Sequence, residues 1–109
     1  KENVPDLRNT KVIDLIHELR EYDALTFVND PMVNPDEARE EYGLELTDLA
    51  GFTDLDCLIL AVPHRQYSDI DLATMRSWFR NPDALLLLDV KAYLDPVAAR
   101  EAGFHYWRL

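Results

Sequence analysis

Two apolar runs constrain this chain more than anything else in it. Cys57, Leu58, Ile59, Leu60, Ala61 and Val62 follow one another without a polar break and are closed by Pro63, and Leu85 to Leu88 are four leucines in a row ahead of Asp89, Val90 and Lys91. Alternating strands have one wet face, whereas continuous apolar runs of this length belong to strands covered on both faces, as in parallel sheets flanked by helices. Pro63 cannot donate to a ladder, so the first run ends there. In open α/β sheets ligands bind beyond the carboxyl ends of the strands. His64 and Arg65 after one run and Lys91 after the other therefore stand where recognition is expected.

The remaining chain supplies the helices that such a sheet requires. Lys1 to Asn9 is polar, carries Pro5 and has no period, which reads as a loop. Val12, Leu15, Ile16, Leu19 and Tyr22 recur at helical spacing, predicting a helix over 10–22 with Asn9 or Thr10 as cap. Ala24 to Val28 reads as a strand ending before Asp30-Pro31. The next helix is signed at both ends: Asn34 caps it, Pro35 takes its first position, Glu37 completes a capping box and Gly43 stops it. Leu44 to Leu46 reads as a short strand and 47–52 as one helical turn. One or two helices span 66–80, with Tyr67, Leu72, Met75 and Phe79 facing inward. Asp95-Pro96 opens a last helix, Gly103 ends it, and Phe104 to Leu109 is the closing strand. Strands alternating with helices predict a single α/β domain over 1–109, a three-layer Rossmann-like parallel sheet with helices on both faces.

In that order the first central strand is missing. Rossmann-like sheets begin with a strand that feeds the first helix, and here only a loop precedes the helix. The strand is expected upstream of Lys1, and the absence of an initiating Met suggests an excised piece. Its loss would bare two edges of unpaired N–H and C=O groups. Either the strands over 24–28 and 57–62 pair directly, or a neighbouring molecule fills the gap in a symmetric homo-oligomer; we expect the second.

Charge narrows the partners. With 21 acids against 11 Lys plus Arg the net charge is −10, which argues against nucleic acid and against an anionic membrane. No apolar stretch approaches the roughly 20 residues of a membrane span. One cysteine excludes an internal disulfide, and a reducing cytoplasm fits. An anion must be held by local bases, and the loops at the expected carboxyl edge offer Lys1, Arg8, Arg65 and Lys91, able to pair with phosphate oxygens. Solvated surface charge is the competing reading. The glycine-rich dinucleotide turn is absent, since Gly43, Gly51 and Gly103 do not form G-x-G-x-x-G.

Other candidates are weaker. Cys57 opens an apolar strand beside Asp56, whose charge raises a thiol pKa, so it reads as structural. His17, His64 and His105 lack ligand spacing, and no metal site is expected; only His64, at a strand end, is placed to line a ligand. Asp6, Asp30, Asp56 and Asp89 could suggest an acidic metal pocket. However, Asp6 and Asp30 neighbour prolines as turn-formers do, and Asp56 begins its strand rather than ending it.

The opening loop, Lys1-Glu2-Asn3-Val4-Pro5-Asp6-Leu7-Arg8-Asn9, resembles the F-K-x-x-x-x-D-x-R-[NED]-S loop that opens the C-terminal, UDP-binding domain of the UDP-glucose/GDP-mannose dehydrogenase family. The likeness continues through Asp30-Pro31, through Asp89-Val90-Lys91-Ala92 against the family's D-x-[KR]-G turn, and into the aromatic ending Phe104 to Leu109. It is most similar to the bacterial branch that oxidises UDP-N-acetylhexosamines for surface polysaccharides. The resemblance implies oxidation of the sugar C6 alcohol to a carboxylate with two NAD⁺ reduced. The NAD-binding and central helical domains, and the catalytic cysteine, would lie upstream, so the isolated chain is expected to be inactive and to hold no catalytic residue.

Carried over by position, Lys1 would contact the UDP-sugar, Arg8 would reach the NAD, and Lys91 would stand near the uridine diphosphate. Two departures follow from the comparison. Ala92 replaces the turn glycine, and Asp23 stands where a helix-ending glycine is usual, so both turns must be strained or reshaped. Two other classes stay open: a free-standing nucleotide or phosphate module using the same basic loops, and an interaction domain that ignores them.

Overall fold

The computed structural model describes residues 11–108. The chain packs as two compact units that divide after Gly51.

The first unit is built on two helices. Helix α1 (Val12–Glu21) buries Ile16, and helix α2 (Pro35–Tyr42) buries Ala38. These meet Val33 and Leu44 in a small core, with Val12, Ile13, Val28, Tyr42 and Leu46 packed around it. Helix α2 begins and ends as its residues dictate. The Asn34 side chain accepts from the backbone N–H groups of Asp36 and Glu37, Pro35 needs no partner at the first position, and Gly43 closes the helix at φ 65°. Helix α1 starts at Val12 after Lys11, which makes no side-chain cap; the predicted caps Asn9 and Thr10 lie outside the described residues. Its end turns through Asp23 at φ 62°, the left-handed position expected from the missing glycine. The two strands predicted here are reduced to one parallel bridge, Val28 with Leu46, supported by Thr47 N–H donating to the Val28 carbonyl at 2.7 Å. Leu25, in the middle of the predicted strand, is 87% exposed. A single 3₁₀ turn, Leu49–Gly51, ends the unit.

The second unit carries the sheet. Strands β1 (Cys57–Leu60), β2 (Leu86–Asp89) and β3 (His105–Arg108) are parallel, in the order β1-β2-β3. The leucine strand β2 occupies the middle of the three. Parallel neighbours need long crossovers, supplied by the 3₁₀ turn Arg65–Asp69 with helix α3 (Leu72–Ser77), and then by helix α4 (Pro96–Glu101). Asp71 caps α3 through Thr74 N–H, and Asp95 caps α4 through Val97 N–H. Both faces of β2 are covered. Leu85 and Leu87 are fully buried with Met75, Phe79, Ala99, Phe104 and Tyr106, while Leu86 and Leu88 are half-buried on the other face. Edge-to-face rings, Phe52 on Trp78 and Phe79 on Phe104, fill the core at centroid distances of 5.3 and 5.9 Å. The architecture is the expected α/β class with a parallel, Rossmann-like sheet. Among the described residues no helix is long and apolar enough to cross a membrane.

Candidate functional site at the carboxyl edge of the sheet

Because the three strands of the second unit are parallel, their carboxyl ends share one edge. Leu60 ends β1 beside Asp89 at the end of β2, and Asp89 lies beside Arg108 at the end of β3. The Val90 N–H donates to the Leu60 carbonyl at 3.0 Å, so the loops leaving β1 and β2 start side by side. Arg65 lies on the first of these loops and Lys91 on the second, and both are exposed. The loops predicted to carry bases thus leave from neighbouring strand ends. His64 shares the first loop, but its ring is turned inward, 1% exposed and 5.8 Å from the ring of Tyr67. Lys1 and Arg8 lie outside the described residues.

The loop after β2 is held more tightly than its sequence suggests. Asp89 is completely buried, and its Oδ2 accepts from the Leu94 N–H at 2.8 Å and from the Tyr106 hydroxyl at 2.5 Å. These two bonds tie the two ends of the Asp89–Leu94 loop together and tie the loop to β3. Arg108 completes the arrangement: its guanidinium donates to the Leu94 carbonyl at 2.8 Å and to the Tyr106 oxygen at 3.0 Å, and lies 5.7 Å from the Tyr106 ring centre. Between these anchors Ala92 is forced to φ 55°, the conformation that the family's glycine would take without strain. Burial, and then the bond to Asp89, push the Tyr106 phenol above its ordinary range.

In the sequence Asp89 stands out as a possible metal ligand and as the start of the Asp89-Val90-Lys91-Ala92 turn, and Tyr106 and Arg108 only as members of the closing aromatic strand; their meeting is not foreseen. One signal was available, in that an acid ends the leucine strand and a Tyr and an Arg sit at alternating positions of the last strand, on one face of the sheet. What it lacked was the register that brings them together.

Cys57 stands at the amino end of β1, away from the edge that carries the bases. Its thiol is half-buried, and burial, with a smaller contribution from Asp56, raises its pKa. A thiol so placed is a poor nucleophile.

Residues 1–96 match the UDP-glucose/GDP-mannose dehydrogenase family, UDP binding domain. The chain is 38% identical over 95 residues to a UDP-N-acetyl-D-glucosamine 6-dehydrogenase of Pseudomonas aeruginosa, and 35% identical over 94 residues to one of Salmonella typhi. These alignments cover 87% and 86% of the chain and 22% of each relative. Protein CapL of Staphylococcus aureus is 46% identical over 69 residues, which is 63% of the chain and 16% of that protein. The chain thus spans about a fifth of the length of the relatives it matches. A basic carboxyl edge on a parallel sheet and a family match over nearly the whole chain agree: the chain belongs to the UDP-glucose/GDP-mannose dehydrogenase family and carries its UDP-binding domain.

Proposed function

We propose that this chain is the nucleotide-sugar-binding domain of an NAD-dependent UDP-sugar 6-dehydrogenase, acting on a UDP-N-acetylhexosamine for surface polysaccharide synthesis in the cytoplasm. The observation that carries the reading is the pair of exposed bases, Arg65 and Lys91, on loops that leave adjacent strand ends in a chain of net charge −10. In such a chain a diphosphate needs a local positive site, and charge-assisted hydrogen bonds from Lys and Arg provide one. Lys1 joins them at the sugar nucleotide, with His64, buried on the same loop as Arg65, as the further residue assigned to the UDP-sugar.

NAD is held mainly by a domain preceding this one. This chain's three glycines stand singly, so no glycine turn cradles a pyrophosphate, and its share in NAD binding rests on Arg8. The oxidation belongs to domains preceding this one, because the only thiol here is half-buried with a raised pKa.

Calorimetric titration with UDP tests the reading. The chain is expected to bind UDP, and Lys91→Ala to weaken binding about ten- to a hundredfold, the loss of one charge-assisted hydrogen bond. In the full-length protein Lys1→Ala should raise the KM for the UDP-sugar and Arg8→Ala that for NAD⁺. A folded chain that ignores UDP would instead be an interaction domain.

A further inference from the structure

We propose that Asp89, Tyr106 and Arg108 act as a positioning lock that sets the nucleotide affinity of the Lys91 loop without touching the nucleotide. The inference rests on the assignment of Lys91 to the diphosphate and adds to it the residues that hold Lys91 in place. Lys91 has a long, flexible stem, and the turn that carries it contains Ala92 in a left-handed conformation that an alanine disfavours. Left alone, such a turn relaxes. Here it is pinned at both ends: the Asp89 carboxylate takes the Leu94 N–H, and the Leu94 carbonyl takes the Arg108 guanidinium at 2.8 Å and the Tyr106 hydroxyl at 3.3 Å. The Ala92 N–H closes back on the Asp89 carbonyl at 3.3 Å. Both polar groups of Leu94 are thus held by side chains from β2 and β3, elements that the sheet itself fixes.

The cluster also has the character of a device that is kept at some cost. Asp89 is fully buried, and its second oxygen, Oδ1, has no hydrogen-bond partner among the described residues. An apolar residue would fill the same volume without that desolvation penalty. What a leucine at this position could not do is anchor the loop.

A double-mutant cycle in the full-length protein, with UDP as the probe and Kd as the readout, tests the lock. Tyr106→Phe removes the hydroxyl that joins Asp89, Leu94 and Arg108, and is expected to weaken UDP binding about tenfold through misplacement of Lys91. In a Lys91→Ala background the same change should weaken binding less than about twofold, because there is no ammonium left to misplace. A merely structural role would lower the melting temperature and leave the Kd of the folded protein unchanged, and that result overturns the proposal. Equal penalties in both backgrounds overturn it too. Arg108→Lys, which keeps the charge but loses the fork to Leu94 and Tyr106, runs the same cycle should Tyr106→Phe fail to fold. If Lys91→Ala alone leaves the Kd unchanged, the assignment of Lys91 itself falls and takes the lock with it, an outcome recognisable from that single variant.

Discussion

Ala24–Val28 and the run Cys57–Val62 are similar in character, both short, mostly apolar and followed by a proline within three residues, yet they end differently. The second pairs with β2 over Cys57–Leu60, while the first keeps a single bridge at Val28 and leaves Leu25 in solvent. The difference is not one of propensity. A strand exists when its N–H and C=O groups find a neighbour, and β1 has β2 beside it, joined by a crossover within its own unit. The first unit holds together instead through its helices, whose caps and apolar faces are local. One unit is thus organised by hydrogen bonds between distant residues and the other by signals a few residues apart.

The largest expected effect sharpens this contrast. Leu87 is completely buried at the centre of the sheet, so Leu87→Ala should cost about 2–5 kcal/mol in denaturant unfolding. Leu25→Ala should change stability by no more than about 0.5 kcal/mol. Comparable losses at the two positions would show that the segment around Leu25 is covered as a strand after all, and the contrast would break.

A smaller effect is expected at two of the three described non-glycine residues held at positive φ, Asp23 in the first unit and Ala92 in the second. Ala92→Gly relieves a left-handed alanine and should stabilise the chain by about 1 kcal/mol. Asp23→Gly should gain less, because an aspartate tolerates that conformation better. A loss of stability at Ala92→Gly, read from the denaturation midpoint, would mean that the pinned loop is not strained.

The smallest effect is one of pH, and it belongs to the second unit alone. The Tyr106 pKa is raised in the folded state by burial and by its bond to Asp89. The folded chain therefore keeps that proton when the unfolded chain loses it, and the associated stability is complete below the ordinary tyrosine value of about 10 and is lost as pH rises beyond it. Tyr106→Phe should flatten this alkaline decline in thermal melts. An unchanged decline would remove Tyr106 from its cause.

These regions also mark what was legible in the sequence. The caps of α2 and α4 and the stop at Gly43 were readable because each depends on residues within one turn of chain, whereas the left-handed turns at Asp23 and Ala92 were flagged only by the family resemblance, which has glycine at both positions. The strands of the second unit were readable because continuous apolar runs between breakers leave few alternatives. The strands over 24–28 and 44–46 were over-read, since their apolar character says nothing about a partner. At the candidate site, the positions of Arg65 and Lys91 followed from the rule about strand ends. The inward turn of His64 and the Asp89–Tyr106 bond did not, because they depend on packing and on a contact 17 residues apart in sequence.

The run of leucines in β2 leaves open a question of alignment that the buried acid answers. Leu85 to Leu88 are interchangeable neighbours, and a strand so uniform could slide along β3 with little change in apolar contact. Asp89 removes that degeneracy. Only the observed alignment, with Leu87 beside Tyr106 and Asp89 beside Arg108, gives the carboxylate its phenol. A slip of one residue would turn Trp107 into the core face and Tyr106 out of it. Misaligned sheets would carry a buried, unanswered charge, so the cluster at the sheet's edge also serves as a proofreading mark for how the sheet is assembled.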